Sequence, residues 1–266
     1  FRADECPICG TGKLEVVEKQ DLVIASATMP KEDWVKTRAI CWLTAFLYFD
    51  KMLQMPMLLL HKLGHFTPRQ IIESFTGERI ANSPVFSKIN EFYLETARQI
   101  QEGAPEYCRS EEWLNIYWPA DELTMIELSS ENQFDTFYTE AEQLLTSLLE
   151  EHNITLPDGL LSETIELNKE LMKQPFQDTD KLIQMQYNVL DFYENAIVGI
   201  DVPIAKQPAS YYIDKSSQTW DTWDEWCQKV VWYGNKKGAY LYPIRRHQRA
   251  VESSKPFVEA GIAGHY

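Results

Sequence analysis

The sequence has no apolar run long enough to cross a membrane, and it is poor in basic residues. Its longest apolar run, AICWLTAFLYF at 39–49, is followed directly by Asp50 and Lys51. A membrane helix needs roughly 20 apolar residues, so this run predicts a buried helix. Lys and Arg number 25 against 40 Asp and Glu, a formal net charge of -15. Because this charge repels phosphate backbones and anionic lipids, we expect neither nucleic acid nor a membrane as a partner.

Cysteine is also scarce, and the common catalytic motifs are missing. The chain has five cysteines, an odd number with one close pair, which argues against a disulfide framework and predicts a cytoplasmic protein. The sequence contains no GxSxG, HExxH, Walker A or GxGxxG motif. These motifs supply nucleophiles, metal ligands and phosphate cradles, so their absence leaves no catalytic residue to assign.

Helix start and stop signals are abundant between residues 28 and 173. Each predicted start combines a capping residue with a proline or acidic first turn, as at Thr67–Pro68 and Ser83–Pro84. We read the acidic pairs Glu32–Asp33 and Glu111–Glu112 as first-turn residues that favour the helix dipole. Apolar stripes at helical spacing predict helices over 28–49, 52–63, 67–75, 83–100, 131–152, 157–173 and 219–233.

Strand signals are confined to the two ends of the sequence. Segments 13–19 and 21–27 predict a strand pair, and AYLY at 239–242 predicts a short strand. Residues 181–187 suit either a strand or the lead into a helix through Ile197, and 199–217 is predicted to be a loop. The predicted fold class is therefore mainly α, a multi-helix domain with a small N-terminal strand pair and short strands near the C-terminus. We place one boundary between 1–29 and 30–266, with a possible further division near 153–157 or 174–180.

CPICG, at residues 6–10, has the form of a metal-binding knuckle. Cys6 and Cys9 are two residues apart, and the following glycine tolerates the positive φ that lets both thiolates face one ion. The pattern is half of a zinc ribbon or rubredoxin-like site, but no second CxxC follows. Three readings stay open: another Cys or His of this chain completes the site, a missing part of a longer chain completes it, or the turn carries no metal. Two thiolates alone form an open site, so we expect weak zinc or iron binding, or none, in the isolated chain.

EWCQKVVWYGNKKGAYLY, at 225–242, is the most distinctive stretch near the other end. Gly234 and Gly238 flank a basic loop in which Asn235, Lys236 and Lys237 can meet an anion such as a carboxylate or phosphate. The alternative is a helix C-cap in which the two lysines face the negative end of the helix dipole.

Together, CPICGTGKLEVVEKQDLVIASATMPKEDWVKTRA and EWCQKVVWYGNKKGAYLY resemble the region C-terminal to the catalytic barrel in cobalamin-binding radical SAM proteins. The resemblance extends from residue 6 to about 242. It implies that the strand pair is the tail of a partial α/β barrel and that CPICG lies at the seam with that barrel. The sequence is then expected to be part of a longer chain whose partners are the barrel and the cobalamin-binding domain.

The resemblance does not transfer any catalytic residue. The family holds its 4Fe–4S cluster with CxxxCxxC, and this spacing is absent here. The H-x-x-G at His61 differs from the cobalamin motif DxHxxG because Leu59 stands at the aspartate position, so His61 is expected to be structural. The implied function is an accessory portion of an enzyme that uses the cluster, S-adenosylmethionine and cobalamin, closing the substrate site without being catalytic alone. The alternative is a free-standing helical interaction module with a small metal-stabilised N-terminus.

Overall fold

The computed structural model describes residues 22–234 and 239–247, and in these residues the mainly helical prediction is confirmed. The helices are α1 (Lys31–Thr44), α2 (Gln54–Leu63), α3 (Pro68–Glu73), α4 (Pro84–Gln101), α5 (Ala120–Ser130), α6 (Phe134–Glu151), α7 (Leu160–Leu171), α8 (Val189–Ala196) and α9 (Trp223–Trp226), with a 3-10 turn at Gly77–Ile80. Two of them continue as π-helical turns, α1 through Ala45–Phe49 and α9 through Cys227–Trp232.

The strands form two small antiparallel sheets. A hairpin joins β1 (Cys108–Ser110) to β2 (Ile116–Trp118), and a three-stranded sheet has the order β3 (Lys181–Tyr187), β4 (Lys206–Ile213), β5 (Ile244–Arg246). β3 and β4 pair with Lys181 opposite Ile213, and the register shifts between Met185 and Tyr187. The Glu163 carboxylate of α7 accepts the backbone N–H groups of Gln186 and Tyr187 at 2.7 and 2.8 Å, so it satisfies the donors at this irregularity.

One continuous cluster of buried side chains, from Val35 to Tyr242, lies between the helices and the larger sheet. The predicted stripe of α4 is confirmed in full, with its members Phe86, Ile89, Tyr93, Ala97 and Ile100 all buried. Among the described residues, no helix is both long and apolar enough to cross a bilayer. The predicted domain boundaries stay predictions.

Several predicted helix starts and ends are confirmed by the backbone. α3 begins after Thr67, which forms a reciprocal capping box with Gln70, and α2 ends at Gly64. The acids Glu32 and Asp33 lie in the first turn of α1, although that helix follows Pro30 rather than Thr28.

The start of α4 has a different physical basis from the predicted one. The Ser83 side chain makes no capping bond. Instead, the buried Glu140 carboxylate of α6 accepts the N–H groups of Val85 and Phe86 at 3.1 and 3.2 Å. A carboxylate 55 residues away in sequence therefore replaces the local cap.

Other predictions are wrong. Residues 22–27 form no strand, and Glu111 and Glu112 lie in the β1–β2 connection rather than in a helix. The predicted loop at 199–217 contains β4, and 239–242 contributes a single bridge between Met172 and Leu241. The last helix begins after Thr222, whose side chain caps it. Segment 13–19 lies outside the described residues.

The helix that the sequence signals missed is α5. Nearly all of its side chains are buried, so it has no polar face and no amphipathic stripe to detect. The hydroxyls of Thr124 and Ser129 donate to the carbonyls four residues earlier, at 2.8 Å each, which allows polar residues to be buried in this helix.

Candidate functional site

The site residues predicted from sequence, Cys6, Cys9, Asn235, Lys236 and Lys237, lie outside the described residues. Their metal-binding and anion-binding roles therefore stay predictions. Within the described residues, a different group of side chains has the properties of a functional site. It is an acidic cluster in the interior, formed by Asp50, Asp121 and Glu122.

Asp50 is presented by an unusual backbone. It directly follows the π-helical turn of α1, and its N–H donates to the Ala45 carbonyl at 2.8 Å, closing a five-residue turn. The next residue, Lys51, has a φ of 66°, a value that non-glycine residues rarely adopt. Asn168 of α7 fixes this region, donating from Nδ2 to the Lys51 and Met52 carbonyls at 2.9 and 3.0 Å. The position of Asp50 is thus determined by α1 and α7 together.

Asp121 and Glu122 come from the first turn of α5, directly after Pro119. α5 packs against both π-helical turns, Ala45–Phe49 and Cys227–Trp232. Short π-helical segments occur frequently at functional sites because they realign the side chains of a helix. The packing of the Ala45–Phe49 turn on α5 brings Asp50, which follows that turn, to the two acids of α5.

The cluster buries three carboxyl groups close together. Asp50, Asp121 and Glu122 are 2, 7 and 5% exposed. Burial raises the pKa of Asp50 to about 9, and the charges of Asp121 and Glu122 add to this shift. Burial also raises the pKa of Asp121, against the opposing effect of nearby backbone N–H groups and of Arg38. At neutral pH, Asp50 is therefore a neutral carboxylic acid beside other carboxyl groups.

Two tyrosines complete the surroundings of the cluster. The Tyr240 hydroxyl contacts the Asp50 carboxyl, which lowers the Asp50 pKa, and lies 3.5 Å from the Val231 carbonyl oxygen. Burial raises the Tyr93 pKa well above its usual value, and the charges of Asp121 and Asp50 contribute. Within the described chain, Asp50 Oδ2 and the Tyr93 hydroxyl have no hydrogen-bond partner of normal geometry. Unsatisfied buried polar atoms are rare, and a catalytic role is one of several explanations for them; a third such atom in the described residues is the Tyr211 hydroxyl, outside the cluster.

Two lysines lie at the edge of this region. Burial lowers the pKa of Lys51, and burial together with the Lys51 charge lowers the pKa of Lys173. The Lys173 ammonium donates to the Ala239 carbonyl at 2.8 Å.

The remaining cysteines and histidines do not form a metal site in the part of the chain that the structure describes, where no three His, Cys, Asp or Glu side chains are arranged to hold an ion. Burial raises the pKa of Cys108 to about 11 and that of Cys227 to about 12. His61 Nδ1 lies 2.7 Å from the Phe66 carbonyl oxygen, a contact that ties the end of α2 to the start of the next turn. This contact agrees with the structural role expected for His61.

The acidic cluster was missed because Asp50 lies 71 residues before Asp121 in sequence, and because Asp121 and Glu122 belong to α5, a helix without a detectable stripe. The sequence offered one local signal for the acidic cluster. Asp50 directly follows an apolar run of eleven residues, and an acid that is buried after such a run is costly unless it is protonated or paired. No protein-family model matches this chain, and no curated protein is significantly similar to it.

Proposed function

We propose that this chain is the helical C-terminal portion of a cobalamin-dependent radical SAM enzyme, which packs on the catalytic barrel and closes the substrate site. The proposal starts from the resemblance carried by the two ends of the sequence. In that enzyme the 4Fe–4S cluster, S-adenosylmethionine and cobalamin belong to the barrel and the cobalamin-binding domain, Cys6 and Cys9 lie at the seam, and the location is cytoplasmic. The structural observation that supports the proposal is an exposed apolar groove beside residues 22–30.

The groove, which we call the N-terminal groove, lies between α1, the end of α4 and the irregular segment before α1. It has a volume of about 330 Å³ and is lined by Leu22, Val23, Met29, Trp34, Thr37, Arg38, Cys41, Ile100 and Glu106. Val23 is 77% exposed. Gln101 holds the segment in place by donating to the Ile24 and Lys31 carbonyls at 3.0 and 2.9 Å. A fixed segment with apolar side chains turned outward is typical of a docking surface.

The N-terminal groove is electrostatically connected to the acidic cluster through Arg38. The Arg38 guanidinium pairs with Glu106 at 2.5 Å, lies 4.6 Å above the Trp42 ring, and lowers the pKa of Asp121. A barrel seated on this groove would therefore lie next to the wall behind which Asp50 is held protonated. In the proposed enzyme, this wall closes the substrate site.

The coding sequence upstream of Phe1 gives the first test. A reading frame that continues through a barrel with CxxxCxxC is expected, and a start codon close to Phe1 would contradict the proposal and favour the free-standing interaction module. The second test uses the two parts produced separately. We expect the upstream part to bind this chain on size-exclusion chromatography. We also expect only the assembled enzyme, reconstituted anaerobically with iron and sulfide, to form 5′-deoxyadenosine.

Surface variants distinguish docking through this groove from nonspecific association. Val23→Glu is expected to abolish binding of the upstream part, because a charge would be buried in the contact. Val198→Glu is the matched control, since Val198 is 67% exposed and follows α8. Equal binding by both variants would exclude the N-terminal groove as the docking surface. Formation of 5′-deoxyadenosine by residues 1–266 alone would overturn the accessory role.

A further inference from the structure

A second groove lies on another face of the molecule, between α4, α5 and α6. Its volume is about 490 Å³, within the range of small-molecule sites. The floor is apolar: Val85, Ile89 and Leu128 are buried, and Phe92 of α4 is half-buried beside them. The polar lining residues are Lys88, Thr124, Glu127, Glu131, Gln133 and Thr136. We call this the α4–α6 groove.

The charges at the rim of the α4–α6 groove are unbalanced. Lys88 Nζ binds both oxygens of Glu131, at 2.6 and 2.7 Å, so its charge is already paired. Among the described residues, Glu127 forms no ion pair. Burial raises the pKa of Glu127, and the charges of Glu131 and Glu112 raise it further against the effect of Lys88. The rim therefore has two carboxyl groups and one ammonium group, and that ammonium group forms its ion pair with Glu131 rather than with the more buried Glu127.

We propose that the α4–α6 groove binds an amphiphilic amine, a small molecule with an apolar body and one protonated amino group. The apolar body packs against Ile89, Phe92 and Leu128, and the ammonium group pairs with Glu127. This site is separate from the acidic cluster and does not depend on the proposed enzyme.

Charge complementarity favours an amine over the other ligand classes. An ammonium group beside Glu127 supplies the missing opposite charge and stabilises the ionised carboxylate in a partly desolvated place. A carboxylate or phosphate ligand would need Lys88, which it could reach only by displacing Glu131. A neutral apolar ligand would bury apolar surface against the floor but would bring no positive charge to Glu127. We therefore expect affinities in the order amine, neutral molecule, anion.

Three probes of similar shape test this order with the purified chain. Isothermal titration calorimetry with 2-phenylethylamine, 2-phenylethanol and 3-phenylpropanoate compares a cation, a neutral molecule and an anion on the same ring. We expect the amine to bind about tenfold more tightly than the alcohol, and the anion more weakly than the alcohol. Equal binding of amine and alcohol would overturn the proposal.

Variants of the groove identify the side chains that give it a preference for the amine. Glu127→Gln is expected to remove the preference for the amine, whereas the matched control Glu91→Gln, an exposed change on α4 outside the groove, leaves it intact. Lys88→Gln removes the ammonium group that pairs with Glu131, so a second carboxylate becomes available to the amine. We expect amine binding to strengthen by only about threefold, because Glu131 is exposed and an exposed charge contributes little. Phe92→Ala should weaken amine and alcohol alike. Thermal unfolding of each variant confirms that the chain is folded.

Two results would contradict this assignment. Retention of the amine preference in Glu127→Gln would place the cation elsewhere. Chemical shift changes confined to residues outside α4, α5 and α6, when 2-phenylethylamine is added to isotope-labelled protein, would show that binding occurs at another surface. Either result is independent of whether the chain docks on a radical SAM barrel.

Discussion

Two regions of the molecule bury charged side chains, and they do so in opposite ways. The acidic cluster of Asp50, Asp121 and Glu122 collects carboxyl groups, and the pKa of Asp50 rises to about 9. The second region lies between α7 and the larger sheet, where Lys215 is only 5% exposed. Its ammonium group lies 3.1 Å from Glu170 and 2.6 Å from the Gln177 side-chain oxygen. We call this second region the paired network.

The pKa values of the carboxyl groups in and beside the paired network shift downward, opposite to that of Asp50. Although burial alone would raise the pKa of Glu170, the hydrogen bond from Lys181 and the charge of Lys215 lower it. Asp180, a partly exposed acid beside this network, accepts hydrogen bonds from Tyr212, from the N–H groups of Lys215 and Ser216, and from the Ser216 hydroxyl, which together lower its pKa to about 2. The comparison shows that burial alone does not decide the charge state of an acid. The fold decides it by supplying or withholding opposite charge.

The largest expected effect tests the acidic cluster. Asp50→Asn should remove a pH dependence of stability. An acid whose pKa is about 9 when folded and about 4 when unfolded favours the folded state at low pH and loses that contribution as the pH rises from about 4 to 9. Relative to the wild type, Asp50→Asn should gain roughly 4 kcal/mol between pH 5 and pH 8, at about 1.4 kcal/mol per pH unit.

Urea denaturation of both proteins at several pH values measures this difference. Asp33→Asn is the control, because it makes the same substitution at an exposed acid in the first turn of α1. A constant difference between Asp50→Asn and the wild type from pH 5 to 8 would mean that Asp50 is ionised when buried.

The second-largest expected effect tests the paired network. Lys215→Met should destabilise the protein by about 3 kcal/mol, because it leaves the Glu170 carboxylate partly buried without its most buried partner. Lys181→Met removes the other partner of Glu170, at 2.7 Å, but that side chain is 43% exposed. Its loss should cost less than about 1 kcal/mol. Equal losses of unfolding free energy in the two variants, measured by urea denaturation at pH 7, would show that burial of the lysine does not increase its contribution to stability.

A smaller effect concerns Glu140, a buried acid outside both regions whose partner is a helix N-terminus. Glu140→Gln should destabilise the protein by about 1 kcal/mol, since a charged acceptor at the first N–H groups of α4 is replaced by a neutral one. Ser83→Ala should cost less than about 0.5 kcal/mol, because its side chain makes no capping bond. If thermal or urea unfolding gave the reverse order, the local cap would be the important one.

The smallest effect is a change in one pKa beside the paired network. The hydrogen bond from Tyr212 is the largest cause of the low Asp180 pKa. Tyr212→Phe should therefore raise that pKa towards the ordinary value of about 4, and Ser216→Ala should raise it less. NMR titration of the Asp180 carboxyl carbon measures both shifts. An unchanged pKa in Tyr212→Phe would assign the shift to the backbone donors of Lys215 and Ser216.

The accuracy of the sequence predictions varied with the range of the interactions that fix each element. The α3 start is set by Thr67 and Gln70, three residues apart, and the end of α2 is set by Gly64, so both could be read from the sequence. β4 was missed because its backbone partners belong to β3 and β5, which are separated from it by loops and other elements. A strand of this kind has no local signal as strong as a helix cap.

The sequence by itself determined the mainly helical class, the position of most helices between Pro30 and Leu171, and the buried stripe of α4, because caps and apolar spacing act over a few residues. Tertiary structure alone decided that α5 is a buried helix and that Glu140 caps α4. It also decided that Asp50 meets Asp121 and Glu122 through the packing of the Ala45–Phe49 turn on α5. The charge state of a buried acid depends on groups that only the completed fold brings within a few ångströms. Coulomb and desolvation energies depend on that distance and on the exclusion of water, neither of which sequence separation encodes.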